Sequence, residues 1–168
     1  QFVVLMALRH ARDLPAYEAL QRARQWTRQP MGALRCHVGV LGMGEMGSAV
    51  ARLLQAVGFQ VTGWSRHSGQ SLQVVLGGSD IVVCALPLTP QTRGVFDAKA
   101  LALMPRGSYL INIARGAHVV EADLIAAVRA ATAQGPRQRG AGVFSLSRAT
   151  TGELALAPLL GLYLGFAV

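Results

Sequence analysis

The sequence is poor in lysine, in acidic residues and in cysteine. Lys99 is the only lysine among 16 basic residues, and eight Asp and Glu leave a formal charge of +8. A basic balance can attract nucleic acid or other anions. Here the arginines are scattered, with no Lys/Arg run of five or more, and no nucleic-acid motif accompanies them. The charge is therefore read as a solvated surface rather than a nucleic-acid footprint. The two cysteines, Cys36 and Cys84, form no CxxC and no zinc spacing, which excludes a disulfide scaffold and leaves no metal site in expectation. The default compartment is then the reducing cytoplasm. Cys84, inside DIVVCALPL, reads as a small buried hydrophobe.

A long apolar span is also lacking. The stretch LALAPLLGLYLGFAV, residues 154–168, has 15 residues and contains a proline. A membrane-spanning helix needs about 20 apolar residues, so this run is read as a partly buried helix or loosely packed tail. The chain starts at Gln1, inside FVVLMAL, with no basic region before that run and no small-residue cleavage site after it. That pattern is read as a truncated start rather than a signal peptide.

What is present is enough for one domain with a core: 168 residues, 52% of them hydrophobic, which excludes wholesale disorder. FVVLMALRHARDL and PAYEALQRARQW read as helix, with Asp13 as a cap and Pro15 at an early helical position. Tyr17, Leu20, Ala23 and Trp26 share helical spacing. TRQPMGALR reads as a linker. Val38 to Leu41 suits a buried parallel strand, Ser48 to Val57 a helix ended by Gly58, and FQVTGW a second strand, together one βαβ unit. DIVVCALPL and SYLINIA are further strands, AKALALM a short helix before Pro105, and EADLIAAVRAA a helix with acidic residues in its first turn. This alternation predicts an α/β fold, a Rossmann-like doubly wound parallel sheet, incomplete at the C-terminal side. The expected organisation is a helical segment over 1–30, a dinucleotide-binding domain over 31–131 and an atypical tail over 132–168.

Gly42-Met43-Gly44-Glu45-Met46-Gly47 matches GxGxxG. The motif alone is weak; after a strand and opening a helix it is informative. Gly42 would permit the tight turn, Gly44 the approach of a pyrophosphate, and Gly47 close packing of helix on strand. The competing reading is a glycine-rich turn without a ligand. About 20 residues on, where an acidic residue would accept from a ribose hydroxyl, stand Ser65 and Arg66. A hydroxyl and a guanidinium suit a 2′-phosphate, so NADPH is expected over NADH, unless Arg66 is merely solvated. Arg115, straight after the apolar SYLINIA, needs a partner. Either it binds a ligand at the carboxyl edge of the sheet, or it pairs with Glu121 or Asp123.

VGVLGMGEMGSAVARLLQAVGFQVTGWSR, SDIVVCALPLTPQTRGVFDAKALALMPRGSYLINIARG and AHVVEADLIAAV, and more loosely RHARDLPAYEALQRARQW, resemble the D-isomer-specific 2-hydroxyacid dehydrogenases, most of all their glyoxylate/hydroxypyruvate reductase A branch. The resemblance covers about Phe2 to Ala130. It implies that Glu45 and Met46 hold the pyrophosphate through their backbone and that Ser65 and Arg66 form the adenosine ribose site. Leu86 and Pro87 would line the nucleotide pocket, with the Thr92 hydroxyl nearby. Ile113 and Ala114 would flank the nicotinamide, and Arg115 would bind the carboxylate and 2-oxo group of a small 2-oxo acid. His118 could be taken for the proton donor, but the resemblance makes it ordinary sequence, with the family's histidine far downstream. It also implies a homodimer.

Several features depart from that pattern. The family pairs the arginine with a glutamate and a histidine. Ser147 stands where the glutamate would be if Val143 and Phe144 align, and no histidine follows His118. Only 12 residues separate Arg66 from Ser79, room for one shortened element. Two expectations stay open: an NADPH-dependent reductase, or a fragment or pseudoenzyme that binds the dinucleotide without turnover. The tail after Ala131 is read as shifted in frame, or the gene as a fragment.

Overall fold

The computed structural model describes residues 1–27, 36–133, 144–148 and 161–164. Four strands form one parallel sheet: β1 (His37–Leu41), β2 (Gln60–Trp64), β3 (Ile81–Cys84) and β4 (Tyr109–Asn112). Their order is β2-β1-β3-β4. Val38 pairs with Val61 on one side and Ile81 on the other, and Ile81 pairs with Tyr109. The helices are α1 (Phe2–Ala11), α2 (Leu14–Arg22), α3 (Glu45–Ala56), α4 (Leu72–Gly77), α5 (Ala98–Leu103) and α6 (Glu121–Ala133). A 3₁₀ turn, Gly116–His118, joins β4 to α6. Strands β5 (Phe144–Arg148) and β6 (Gly161–Leu164) pair in parallel with each other. The expected helix in the apolar tail is therefore corrected for Gly161–Leu164, which is strand. The linker expected over TRQPMGALR falls largely outside the described residues.

The apolar runs are continuous because both faces of the sheet are covered. The pleat alternates them between two cores. Val38, Val40, Ile81, Val83, Tyr109 and Ile111 pack with α1 and α3, through Val3, Met6, Ala7, Val50 and Leu54. Leu41, Val82, Cys84 and Leu110 pack with α4, α5 and α6, through Val75, Leu76, Leu101, Leu124 and Val128. Helix α1 thus belongs to the core of the sheet. Burial pushes the Cys84 thiol up to about 11, which keeps it neutral and inert, as its sequence context implied.

Local rules set the start of α4 and both ends of α5. Ser71 accepts from the Val74 amide at 3.3 Å and Asp97 from the Ala100 amide at 2.8 Å, so α4 and α5 carry side-chain caps. Met104 turns extended ahead of Pro105 and stops α5. Helix α3 begins at Glu45, three residues before the expected start. The expected Asp13 cap is not a regular one: Asp13 stands at the N-cap of α2 with φ 49, a left-handed conformation, and its carboxylate lacks normal capping geometry. The twelve residues after Arg66 do hold one shortened element, α4. Helix α2 has no buried residue, although Pro15 lies at its start as read from the sequence.

Candidate functional site

Parallel strands bring their following loops to one edge of the sheet. Backbone hydrogen bonds stitch these loops where they leave the strands. The Gly42 amide donates to the Trp64 carbonyl (2.9 Å), the Ala85 amide to Leu41 (2.8 Å) and the Ile113 amide to Cys84 (3.1 Å). The chain leaves β1 for β2 on one side and returns to β3 on the other. The crevice at such a reversal is where open α/β sheets bind ligands.

The three glycines have separate physical causes. Gly42 has φ +97, and a Cβ there would lie 2.6 Å from the Ala85 carbonyl oxygen. A Cβ on Gly47 would lie 1.8 Å from the Gly42 oxygen, so helix and turn touch backbone to backbone. A Cβ on Gly44 would meet nothing within 4 Å, and its φ of −72 suits any residue. Internal packing explains Gly42 and Gly47 and leaves Gly44 unexplained. A ligand passing close to its backbone would account for it. The first amides of α3, from Glu45 and Met46, have no acceptor within the helix and carry its positive end. Both residues are exposed. These features fit a dinucleotide pyrophosphate, which pairs with such amides.

At the end of β2 a tight turn holds Ser65 and Arg66. The Ser68 hydroxyl donates to the Ser65 carbonyl (2.7 Å), and the Trp64 indole N–H to that of Gln70 (2.9 Å). Arg66 and His67 are exposed, and among the described residues no acid pairs with Arg66.

After β3, Leu86 turns its side chain into the core and Pro87 is exposed. Thr92 is buried, and its hydroxyl is spent within the loop. It donates to the Pro87 carbonyl (2.6 Å) and accepts from the Thr89 amide (2.8 Å). It therefore shapes the loop that carries Leu86 and Pro87.

After β4, Ile113 and Ala114 are half-buried, one against each core. Arg115 is exposed, and its guanidinium donates only a long bond to the Ala114 carbonyl (3.3 Å). The alternative ion pair with Glu121 or Asp123 does not form among the described residues. Asp123 accepts instead from the Ala98 amide at 2.8 Å. Arg115 is an exposed cation at the edge where the loops leave the strands. The other expected residues, from Gly42 to Ala114, are on the same edge.

Two further residues fix Arg115: Asn112, which the sequence did not single out, and His118, which it set aside. Asn112 is buried at the end of β4 and holds both Ala114 and Arg115 by backbone bonds (3.0 and 2.9 Å). Its signal was an amide inside an apolar strand, which must find partners. His118, dismissed as ordinary sequence, is fully buried against Arg115. His10 and His37 lie elsewhere: His10 stacks on Tyr109, and Nε2 of His37 meets the Thr62 hydroxyl at 2.6 Å. A cavity of about 180 Å³ lies beside His37, Thr62 and Ser79, at the start of β1 and away from this edge.

A parallel sheet with a glycine loop, an open helix N-terminus and an exposed cation at one edge defines a dinucleotide-binding domain. The family of D-isomer specific 2-hydroxyacid dehydrogenases, by its NAD binding domain, matches residues 4–136, and the chain belongs to that family. It is 38% identical over 140 residues to a glyoxylate/hydroxypyruvate reductase A of Photorhabdus laumondii, spanning 76% of this chain and 45% of that protein. A D-isomer specific 2-hydroxyacid dehydrogenase from Xanthobacter autotrophicus, solved with NADPH and MES, is 48% identical. It superposes with a TM-score of 0.71 over 77% of this chain and 45% of its own. An NADPH-dependent glyoxylate/hydroxypyruvate reductase from Sinorhizobium meliloti, solved with NADP and sulfate, is 32% identical, with a TM-score of 0.75 over 96% and 55% of the two chains. The chain thus spans about half the length of the curated relatives it matches. No helix among the described residues is long and apolar enough to cross a membrane.

Proposed function

We propose that the chain binds NADPH and presents a small 2-oxo acid, of the glyoxylate or hydroxypyruvate kind, for reduction. The carrying observation is Arg115, an exposed guanidinium without an acid partner among the described residues, at the edge where the loop at Gly44 stands open. The amides of Glu45 and Met46, with Gly42, Gly44 and Gly47, hold the pyrophosphate. Ser65 and Arg66 hold the 2′-phosphate, which favours NADPH over NADH. The relatives solved with NADPH and NADP support that preference. Leu86, Pro87 and Thr92 shape one wall of the pocket, and Ile113 and Ala114 the nicotinamide side.

Arg115 binds the carboxylate in bidentate fashion and orients the carbonyl. The bound nicotinamide would supply the hydride, which no side chain can. No Glu–His pair reaches Arg115 among the described residues, so the side chains on hand bind and orient. The alternative reading is dinucleotide binding without turnover. Loss of NADPH absorbance on adding glyoxylate supports the first reading. Tight NADPH binding with no turnover supports the second, and failure to bind NADPH overturns both.

The proposed division is residues 1–30 as a helical segment, 31–131 as the nucleotide-binding domain and 132–168 as a tail. A homodimer through the first segment follows from the exposed Phe2, Leu5, Leu14, Tyr17 and Trp26. Sedimentation of the intact chain tests it. A cytoplasmic setting, without nucleic-acid or membrane partners, is the accompanying proposal.

A further inference from the structure

His118 has no exposed surface, although it stands outside the sheet on the 3₁₀ turn. Its ring lies between two loops. Nδ1 is 2.8 Å from the carbonyl oxygen of Arg115, and Nε2 is 3.4 Å from that of Pro87, 31 residues earlier. Both carbonyls only accept, and a neutral ring has one N–H: with the hydrogen on Nδ1 the ring donates to the Arg115 carbonyl, and with it on Nε2 the ring donates to Pro87 while Nδ1 accepts from the Arg115 amide at 3.3 Å. The same oxygen accepts from Asn112 Nδ2, and the Pro87 oxygen from the Thr92 hydroxyl. The backbones join the loops alongside. The Gly94 amide donates to the Ala117 carbonyl (2.8 Å), the Phe96 amide to His118 (2.9 Å) and the Val120 amide to Phe96 (3.1 Å). The loops after β3 and β4 are one unit, and His118 is a side chain that spans them.

The guanidinium of Arg115 has no carboxylate to hold it among the described residues, so its aim depends on its own backbone. We propose that His118 is a positioning residue: it fixes Arg115 relative to the Ala85–Thr92 loop, so that the clamp for a 2-oxo acid carboxylate sits in register with the nicotinamide wall. The inference rests on Arg115 being that clamp. A shift of about 1 Å in such a group costs about a hundredfold in rate, so a buried ring serves better than a flexible loop.

The test uses the full chain and three variants. His118→Phe fills the space without donors. His118→Asn places an amide donor near the Nδ1 position, and His118→Gln near Nε2. Amide hydrogen exchange is followed by mass spectrometry. Oxamate, an isostere of a 2-oxo acid, is titrated in saturating NADPH. In His118→Phe, residues 85–92 and 113–119 are expected to exchange about tenfold faster or more, while β1 and β3 are unchanged. Oxamate affinity is expected to fall about tenfold or more, with NADPH affinity within about threefold, and His118→Asn to recover protection over 113–119 and most of the oxamate affinity. Unchanged loop exchange in His118→Phe overturns the proposal. So does acceleration across the whole sheet with His118→Asn no better than His118→Phe, which is a purely structural role. A native chain that binds NADPH but not oxamate overturns the reading of Arg115 as clamp. The exchange pattern then still decides whether His118 holds Arg115.

Discussion

Asn112 folds its side chain back on to Arg115. Its Nδ2 donates to the Arg115 carbonyl oxygen at 2.9 Å, while its Oδ1 accepts from the Ala114 amide at 3.0 Å. Both halves of the amide are used, and the residue is almost wholly buried. The turn that leaves β4 is therefore fixed in shape before any ligand arrives. Asn112→Ala strands the Ala114 amide and halves the hold on Arg115. It is expected to cost about 1–3 kcal/mol, read as a lower urea midpoint at constant slope. Asn112→Asp keeps the acceptor and loses the donor, and should weaken oxamate binding more than NADPH binding. Equal stability of the native and alanine chains would contradict the account.

Gly44 and Gly47 belong to one motif and should respond oppositely to alanine. A Cβ on Gly47 meets the Gly42 oxygen at 1.8 Å, so Gly47→Ala must push α3 off the turn. Overpacking of this kind costs about 1–3 kcal/mol, and NADPH binding falls with the displaced helix. A Cβ on Gly44 meets nothing, so Gly44→Ala should leave stability within about 0.5 kcal/mol. It intrudes on the pyrophosphate, and NADPH affinity should fall about tenfold or more. Thermal melts and nicotinamide fluorescence on the two variants separate a packing role from a ligand role. Native NADPH affinity in Gly44→Ala would remove the ligand explanation for its empty surroundings.

The core of this fold was legible because the strands are buried on both faces and read as unbroken apolar runs, as in Ile81 to Cys84. The glycine roles were legible because each is a local steric fact. The periodicity of Tyr17, Leu20, Ala23 and Trp26 misled: α2 ends at Arg22, and Trp26 is wholly exposed. Spacing shows an apolar stripe but not what covers it. Asp13 misled for a different reason, since a cap needs extended φ/ψ and this residue is left-handed. The site was legible as far as single loops go. The role of His118 was not, because its ring contacts two loops that meet across 31 residues of chain.

Ser65 and Arg66 separate the two nicotinamide cofactors by charge. Arg66→Ala removes charge-assisted bonds of about 1.5–3 kcal/mol, so NADPH affinity should fall about 10- to 100-fold. NADH lacks the 2′-phosphate and should bind as before. Ser65→Asp places a carboxylate that repels the phosphate and accepts from a ribose hydroxyl, which should reverse the preference. Paired titrations with NADPH and NADH read the ratio. A ratio unmoved by both substitutions would leave Arg66 a solvated surface residue.

His10 links the helical segment to the sheet and makes stability depend on pH. Its ring stacks on Tyr109 with centroids 4.7 Å apart and planes 6° from parallel. Burial lowers its pKa from 6.5 to about 4, against a smaller opposing pull from Asp80. Between those values the unfolded chain binds a proton that the folded chain refuses. Stability is therefore complete above pH 6.5 and declines as the pH falls toward 4, by at most about 3 kcal/mol. His10→Phe keeps the stack and removes the titration. The difference in urea-unfolding free energy between native and His10→Phe should change over that window and flatten outside it. Carboxylates titrate in both chains and cancel in the difference. A difference constant from pH 7 to 4 would show that His10 is freely protonated in the folded protein.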